Sequence, residues 1–181
     1  AYLVHATVQV DANNVRVFSE LLKTSDGTQV WSEAYDGDLS GKNLFAFQEE
    51  IAQNVVTAIA EGHGIISQVE REKLRGKPIE NLGAYECSLL SHVLMETGGT
   101  PESHKNARDC WERVVAETPD TAEGWGWLAI IYAFESSNQL NPRPNSMERS
   151  LEAGERAVNL DRDNQIAWMG LARAHFTRGE Q

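Results

Sequence analysis

The chain has 181 residues, a formal net charge of −11 and an apolar fraction of 41%. This length suffices for one large or two small hydrophobic cores. No apolar run approaches the roughly 20 residues of a membrane-spanning helix, and Lys and Arg are not clustered as phosphate binding requires, so composition argues against a membrane span and against direct nucleic-acid binding.

The first part of the chain is patterned as β-structure. Alternating apolar residues from Tyr2 to Val10 predict one strand, and the runs Val15–Leu22 and Gln29–Tyr35 predict two more. The segments between them are rich in Asp, Asn and Gly, which accept turn conformations. The simplest arrangement is a three-stranded antiparallel meander.

A change of period predicts helices after the sheet. From residue 44 the apolar residues recur at helical spacing, which indicates an amphipathic helix, capped by Asn43, that covers one face of the sheet. A polar helix is predicted from Ile65 to about Leu74. The breaker Gly76-Lys77-Pro78 then predicts a boundary between an α/β part, residues 1–78, and a helical part, residues 79–181.

The helical part contains an internal repeat with an offset of forty-three residues. The matching residues are Trp125, Leu128, Ala129 and Tyr132 in one copy and Trp168, Leu171, Ala172 and His175 in the other. Their spacings of three, four and seven place each set on one face of a helix. A second helical stripe precedes each set, so the repeat unit is a helical hairpin that needs a stacked neighbour. An earlier hairpin is predicted to begin near Tyr85 and to end at Pro119.

These residues resemble the tetratricopeptide repeat, a helical hairpin of about 34 residues with a Trp-Leu-Gly/Ala-Tyr pattern in its first helix. The match departs from the family in two places. Arg162 replaces the usual proline, and an insertion that contains Pro142 and Pro144 lengthens the period. The insertion is predicted to project as a turn between two helices.

The first part is similar to another family. The strings Val15–Val17, Gly27–Glu33 and Phe45–Ala52 resemble the TolB-amino-terminal-like α/β segment that precedes tetratricopeptide repeats in bacterial signalling proteins. In that family a class III adenylate/guanylate cyclase domain or a winged-helix DNA-binding domain lies upstream. The resemblance implies an α+β chain that starts inside the α/β domain. It predicts a partial antiparallel three-stranded sheet with a covering helix, followed by an all-α tetratricopeptide-like helical-hairpin array truncated at its C-terminus.

The sequence assigns no catalytic, cofactor or metal site. The five histidines lack Glu or Cys neighbours at metal-ligand spacing. Gly62-His63-Gly64 follows a helix and lacks a phosphate-loop Lys, so it is predicted to end that helix. Asp36-Gly37-Asp38 lacks the other ligands of a calcium loop and is predicted to be a turn. Cys87 and Cys110 are predicted to be buried free thiols.

The inner surface of the repeats is the remaining candidate site. In the tetratricopeptide family, first-helix residues that do not pack between repeats line a concave groove that binds peptides. The matching positions here are Glu123, Ile130, Ala133, Ile166, Met169, Arg173 and Phe176. The alternative left open is that these side chains contact a following repeat or face solvent. Three tryptophans are predicted to lie in the core instead, namely Trp111, Trp125 and Trp168.

Two functions remain open at this stage. The first is a non-catalytic regulatory and protein-interaction module of a multidomain signalling protein, linked to a class III cyclase. The second is a part of the cyclase enzyme itself. Alternatives for the first are the sensor portion of a winged-helix regulator and an envelope assembly factor. The predicted partners are a protein or peptide in the groove and a second copy of the chain at its C-terminal helix. Two unpaired thiols favour the cytoplasm, with the periplasm as the alternative.

Overall fold

The computed structural model describes residues 1–38, 40, 44–60, 64–74 and 76–179. The chain forms two compact units, Ala1–Lys73 and Leu74–Gln181. The first unit is a sheet with helices and the second is a helical array, which confirms the predicted α+β fold class. Among the described residues, no helix combines the length and the apolar character that crossing a membrane requires.

The sheet of the first unit is an antiparallel meander in the order β1, β2, β3. The strands are β1 (Tyr2–Asp11), β2 (Asn14–Lys23) and β3 (Gln29–Asp38). Each connection contains a residue in the left-handed region, Ala12 with φ 52° and Gly27 with φ 70°. Glycine adopts this conformation without steric cost. Both residues lie in the segments that the sequence predicts to be turns.

Helix α1 (Leu44–Ala60) covers only part of the apolar face of the sheet. Val15 and Val17 of β2 are buried together with Phe47 of α1. Their partners on β1, Val10 and Val8, point to the same face but are 63% and 60% exposed. A helix is about 10 Å wide and neighbouring strands lie about 4.8 Å apart, so one helix covers about two strands. The apolar face of the outer strand β1 is therefore exposed to solvent.

The prediction of a turn at Asp36-Gly37-Asp38 is wrong, because these residues continue β3. A Cβ atom on Gly37 would lie 2.5 Å from the ring of Phe47, so glycine leaves room for the aromatic side chain of α1. Helix α2 (Ile65–Glu72) follows close to its predicted position. The predicted cap Asn43 and the residues Gly62 and His63 lie outside the described part of the chain.

The described part of the second unit contains five α-helices after a short 3-10 turn at Ile79–Asn81. They are α3 (Ala84–Thr97), α4 (Pro101–Glu117), α5 (Ala122–Ser137), α6 (Ser146–Leu160) and α7 (Gln165–Arg178). Helix α5 lies in the middle and packs against α4, α6 and α7. Every residue from Gly126 to Glu135 is therefore buried.

The internal repeat of the sequence is also a repeat of structure. Helices α5 and α7 begin forty-three residues apart, and each begins with the same kind of cap. Thr121 Oγ1 accepts a hydrogen bond from the backbone N of Gly124 at 3.2 Å, and Asn164 Oδ1 accepts one from Ala167 at 3.0 Å. Such caps satisfy amide groups that a helix leaves unpaired at its start. Both helices thus start where the repeated pattern starts.

The tryptophans differ more than the sequence predicts. Trp111 is fully buried, as predicted, and Trp125 is partly buried. Trp168 is 50% exposed, so its prediction as a core residue is wrong. Trp127, which the repeat pattern does not single out, is 1% exposed and lies edge-to-face against His92 with ring centroids 5.0 Å apart. Trp127 is buried because α5 has packing partners on all sides.

Candidate functional site

The seven predicted groove residues do not form one open surface. Ile130 and Ala133 are 1% and 0% exposed, so they belong to the packed interior and do not line an accessible groove. Glu123, Ile166, Met169 and Arg173 are partly buried. Phe176 is 76% exposed and is the most accessible of the set. Five of the seven positions therefore remain candidates for contact with a partner.

Ile130 and Ala133 are buried because α7 crosses α5 closely along their stripe. A Cβ atom on Gly126 would lie 2.7 Å from the backbone of Ile166, and one on Gly170 would lie 2.5 Å from the carbonyl oxygen of Gly126. Further along, the guanidinium of Arg173 lies 4.8 Å from the ring centroid of Phe134. The stripe of α5 that was assigned to the groove is thus a helix-packing surface. This is the alternative in which these side chains contact a following repeat.

A small cavity lies between α5 and α6. Its volume is about 190 Å³, and it is bounded by two arginine–aromatic stacks and by Glu152 and Ala153. Arg156 lies 4.1 Å from the ring centroid of Trp125, and Arg149 lies 4.2 Å from that of Tyr132. Such stacks contribute about 0.5 to 2 kcal/mol each, depending on solvent exposure.

A buried carboxylate joins α4, α5 and α6. Glu135 is 0% exposed, and its Oε1 accepts a hydrogen bond from Arg108 Nη1 at 2.9 Å. Its Oε2 accepts one from Ser146 Oγ at 3.1 Å and pairs with Arg149. A buried charge is tolerated only when it is paired and hydrogen-bonded. Sequence reasoning missed this cluster, although a glutamate directly after the apolar run of α5 was a signal for it.

The insertion between α5 and α6 does not project from the array as predicted. Asn141 lies over α4. Its side-chain Nδ2 donates to the carbonyl oxygen of Pro101 at 2.6 Å, and its backbone carbonyl oxygen accepts a hydrogen bond from Arg108 Nη1 at 3.2 Å. The same Nδ2 lies 3.3 Å from Nδ1 of His104. The insertion is therefore anchored to the helices.

His104 and Tyr132 titrate away from their usual ranges. Burial lowers the pKa of His104, whose Nε2 lies 3.0 Å from the carbonyl oxygen of Ile131. Burial also raises the pKa of Tyr132, with Glu112 beside its hydroxyl as the next cause. Both side chains are held neutral in the interior at neutral pH, which suits structural hydrogen bonding.

The prediction of free thiols is wrong in one respect. Cys87 of α3 and Cys110 of α4 are both 0% exposed, as predicted, but their sulfur atoms form a disulfide. The Cα atoms are 5.7 Å apart, within the range that a disulfide spans. Antiparallel packing of α3 and α4 brings the two residues together across a separation of 23 positions. The compartment argument based on unpaired thiols no longer holds.

The first unit has a cleft at one end of its sheet. Its volume is about 820 Å³, and its lining includes Asp11, Arg16, Asp36 and Asp38. Arg16 Nη2 donates to Asp36 Oδ2 at 2.9 Å, and this hydrogen bonding lowers the pKa of the Asp36 carboxyl group. Within the described residues no group of three or more His, Cys, Asp or Glu side chains is placed to hold a metal ion.

Comparison with known proteins gives one informative similarity. No protein-family model matches the chain. The chain is 26% identical over 162 residues to "Putative adenylate cyclase 3" of Rhizobium meliloti (strain 1021). The match covers 88% of the chain but 26% of the relative, so the chain spans about a quarter of the length of that protein. The similarity supports a link to an adenylate-cyclase protein.

Proposed function

We propose that this chain is a non-catalytic regulatory and protein-interaction module of a bacterial signalling protein linked to an adenylate cyclase. The observation that carries the proposal is the match to "Putative adenylate cyclase 3" over 88% of the chain. Residues 1–78 would be a partial TolB-like domain, and residues 79–181 would be tetratricopeptide-like repeats. The helical-hairpin array, with its forty-three-residue repeat, supports the second assignment.

The interaction role rests on the exposed part of α7. Phe176 is 76% exposed, and Met169 and Arg173 lie on the same helix stripe with part of their surface open. An exposed aromatic beside an arginine is a common composition for protein contacts. We propose that Glu123, Ile166 and these three residues contact a protein or peptide whose state is relayed to the cyclase.

The compartment is part of the proposal. Disulfides persist in oxidising compartments and are rare in the cytosol. The Cys87–Cys110 pair therefore favours the periplasmic alternative over the cytoplasm. Acid quenching of whole cells, followed by alkylation under denaturing conditions, tests this, because both cysteines are buried in the native chain. A periplasmic chain is expected to carry no alkylatable cysteine before reduction, and two alkylatable cysteines would favour the cytoplasm.

Titration calorimetry with Mg-ATP tests the non-catalytic assignment. The chain is expected to give no binding heat and to form no cyclic nucleotide, because its sequence contains no phosphate loop and no arrangement of metal-binding aspartates. Cyclic nucleotide formation by the chain alone would overturn the assignment. The gene sequence upstream of Ala1 tests the cyclase link, since a winged-helix domain there would replace it with the transcriptional alternative.

A further inference from the structure

The insertion between α5 and α6 is held in a strained shape. Gln139 and Asn141 lie in the left-handed region, with φ of 54° and 47°. Residues other than glycine adopt this region at a cost in energy, so contacts must hold the segment there. Between them, Leu140 packs against the core. A Cβ atom on Gly99 would lie 2.8 Å from Leu140 Cδ1 and 2.5 Å from Leu94 Cδ1, so the two leucines meet at the turn between α3 and α4.

Residues 139–142, which we call the strap, are anchored through Asn141. Its Nδ2 donates to the carbonyl oxygen of Pro101 at 2.6 Å and lies 3.3 Å from Nδ1 of His104. The oxygen of Pro101 can only accept a hydrogen bond, so it fixes which end of the amide faces the ring. The ring Nε2 lies 3.0 Å from the carbonyl oxygen of Ile131, which also only accepts. Nε2 therefore carries the ring proton, and Nδ1 accepts from Asn141.

A second proton on His104 is incompatible with this arrangement. It would lie on Nδ1, and both Nδ1 and Asn141 Nδ2 would then be donors. Turning the amide over would place Oδ1 of Asn141 where Nδ2 now lies, 2.6 Å from the oxygen of Pro101, and two acceptors would face each other. Asn141 can therefore keep its position only beside a neutral ring.

Burial is the main cause of the lowered pKa of His104, and charges from the surrounding segments modify it. Arg108 of α4 and Arg143 of the insertion lower the pKa further, whereas Glu135 of α5 raises it. Glu135 is itself paired with Arg108 and with Arg149 of α6, which offsets its attraction for a proton on the ring. Release of the strap lets water reach the ring, so the released form takes up a proton more readily.

We propose that protonation of His104 releases the strap and exposes Leu140 at the corner between α3 and α4. The second half of the insertion stays in place, because Arg143 pairs with Glu112 independently of the ring. Release relieves the backbone strain on both sides of Leu140. Acid thus uncovers an apolar side chain while the helices remain packed. The inference does not depend on the cyclase link.

NMR spectroscopy of the whole chain tests the proposal. The ring nitrogens of His104 report its tautomer and its titration, and contacts between the methyl groups of Leu140 and Leu94 report the position of the strap. The indole signal of Trp111, whose Nε1 donates to Ser91 Oγ at 2.8 Å, reports the packing of α4 on α3.

At neutral pH the proton is expected on Nε2 of His104, with the methyl contacts present. On acidification the methyl contacts are expected to disappear with the same midpoint as the His104 titration, below about 6.5, while the Trp111 signal remains. The sign follows from proton uptake by the released form. Each pH unit below about 6.5 is expected to increase the ratio of released to anchored strap about tenfold.

Three variants separate a proton-controlled strap from a contact with a structural role alone. Asn141→Ala is expected to weaken the methyl contacts at neutral pH and to raise the His104 midpoint towards about 6.5. The matched control Asn138→Ala, at an exposed position just before the strap, is expected to change neither. In His104→Gln the side chain stays neutral, so the methyl contacts are expected not to respond to acid. Asn141→Ala keeps the test intact if His104→Gln does not fold by circular dichroism.

Four results would overturn the proposal. The first is a His104 titration that leaves the methyl contacts unchanged, and the second is a proton on Nδ1 at neutral pH. The third is an equal His104 midpoint in the native chain and in Asn141→Ala, or an acid response that persists in His104→Gln. The fourth is loss of the Trp111 signal together with the methyl contacts, because the helical unit would then unfold as a whole.

Discussion

Reduction of the Cys87–Cys110 disulfide is expected to destabilise the helical unit strongly. The bond closes a loop with a sequence separation of 23 residues. For a loop of that size, the lost chain entropy of the unfolded state corresponds to roughly 3.4 kcal/mol at 25 °C. A unit of about 100 residues has a melting entropy of about 0.2 kcal/mol/K, so the expected fall in Tm is about 15 °C.

Calorimetric melting of the oxidised and the reduced chain at one pH measures this difference. Both cysteines are 0% exposed, so the reduced sample is best prepared by refolding with a phosphine reductant rather than by treating the native protein. The control is the double variant Cys87→Ala, Cys110→Ala, which is expected to melt near the reduced chain and to ignore the reductant. A reduced Tm within about 3 °C of the oxidised one would refute the reasoning. Two titratable thiols in the oxidised chain would refute it as well.

Three further changes are expected to act through buried groups. Glu135→Gln removes the buried carboxylate that Arg108 Nη1 and Arg149 pair with, and is expected to cost about 3 to 5 kcal/mol in urea unfolding. The exposed control Glu152→Gln is expected to cost about 0.5 kcal/mol or less. Gly126→Ala places a Cβ atom 2.7 Å from the backbone of α7 and is expected to cost roughly 1 to 3 kcal/mol by the same assay; an unchanged urea midpoint would contradict the close crossing. Because burial lowers the pKa of His104 in the folded state, the unfolded chain takes up a proton first, and stability is expected to fall as pH drops below about 6.5 towards the lowered pKa. The variant His104→Gln is expected to flatten that pH dependence, and an equal slope in both proteins would contradict it.

Sequence patterns predicted the elements well because each pattern is local. A period of two along β1 and β2 and a helical period after residue 44 depend on residues a few positions apart. Turns and caps are local too, as Gly27 and Thr121 illustrate. The repeat also related residues that are far apart in sequence, since two segments with the same pattern adopt the same structure.

The same patterns did not show which face of a helix is covered. Ile130 and Phe176 both lie on the predicted groove stripe, yet one is 1% exposed and the other 76%. The difference comes from the crossing of α7 over α5 at Gly126, a contact between residues about forty positions apart. The pairing of Cys87 with Cys110 was missed for the same reason, because it needs the relative position of two helices and not the pattern of either.

The first helices of the three hairpins, α3, α5 and α7, carry different residues at their fourth position. The fourth residue is Cys87 in α3, Trp125 in α5 and Trp168 in α7. Cys87 is bonded to Cys110, and the residue forty-three positions after Cys110 is Ala153, which lines the cavity beside Trp125. A covalent bond thus lies near the start of α3, while an aromatic ring and an arginine lie near the start of α5.

The two hairpins therefore respond differently to the redox state. The disulfide and the buried Trp111, whose Nε1 donates to Ser91 Oγ at 2.8 Å, join α3 and α4. The stack of Trp125 and Arg156 adds to the Glu135–Arg149 pair between α5 and α6. Loss of the stack is expected to weaken the second hairpin under any redox condition, while reduction is expected to weaken the first. At the third position Trp168 keeps the geometry of the second hairpin, because its Nε1 donates to the carbonyl oxygen six residues before it, as Trp125 Nε1 does.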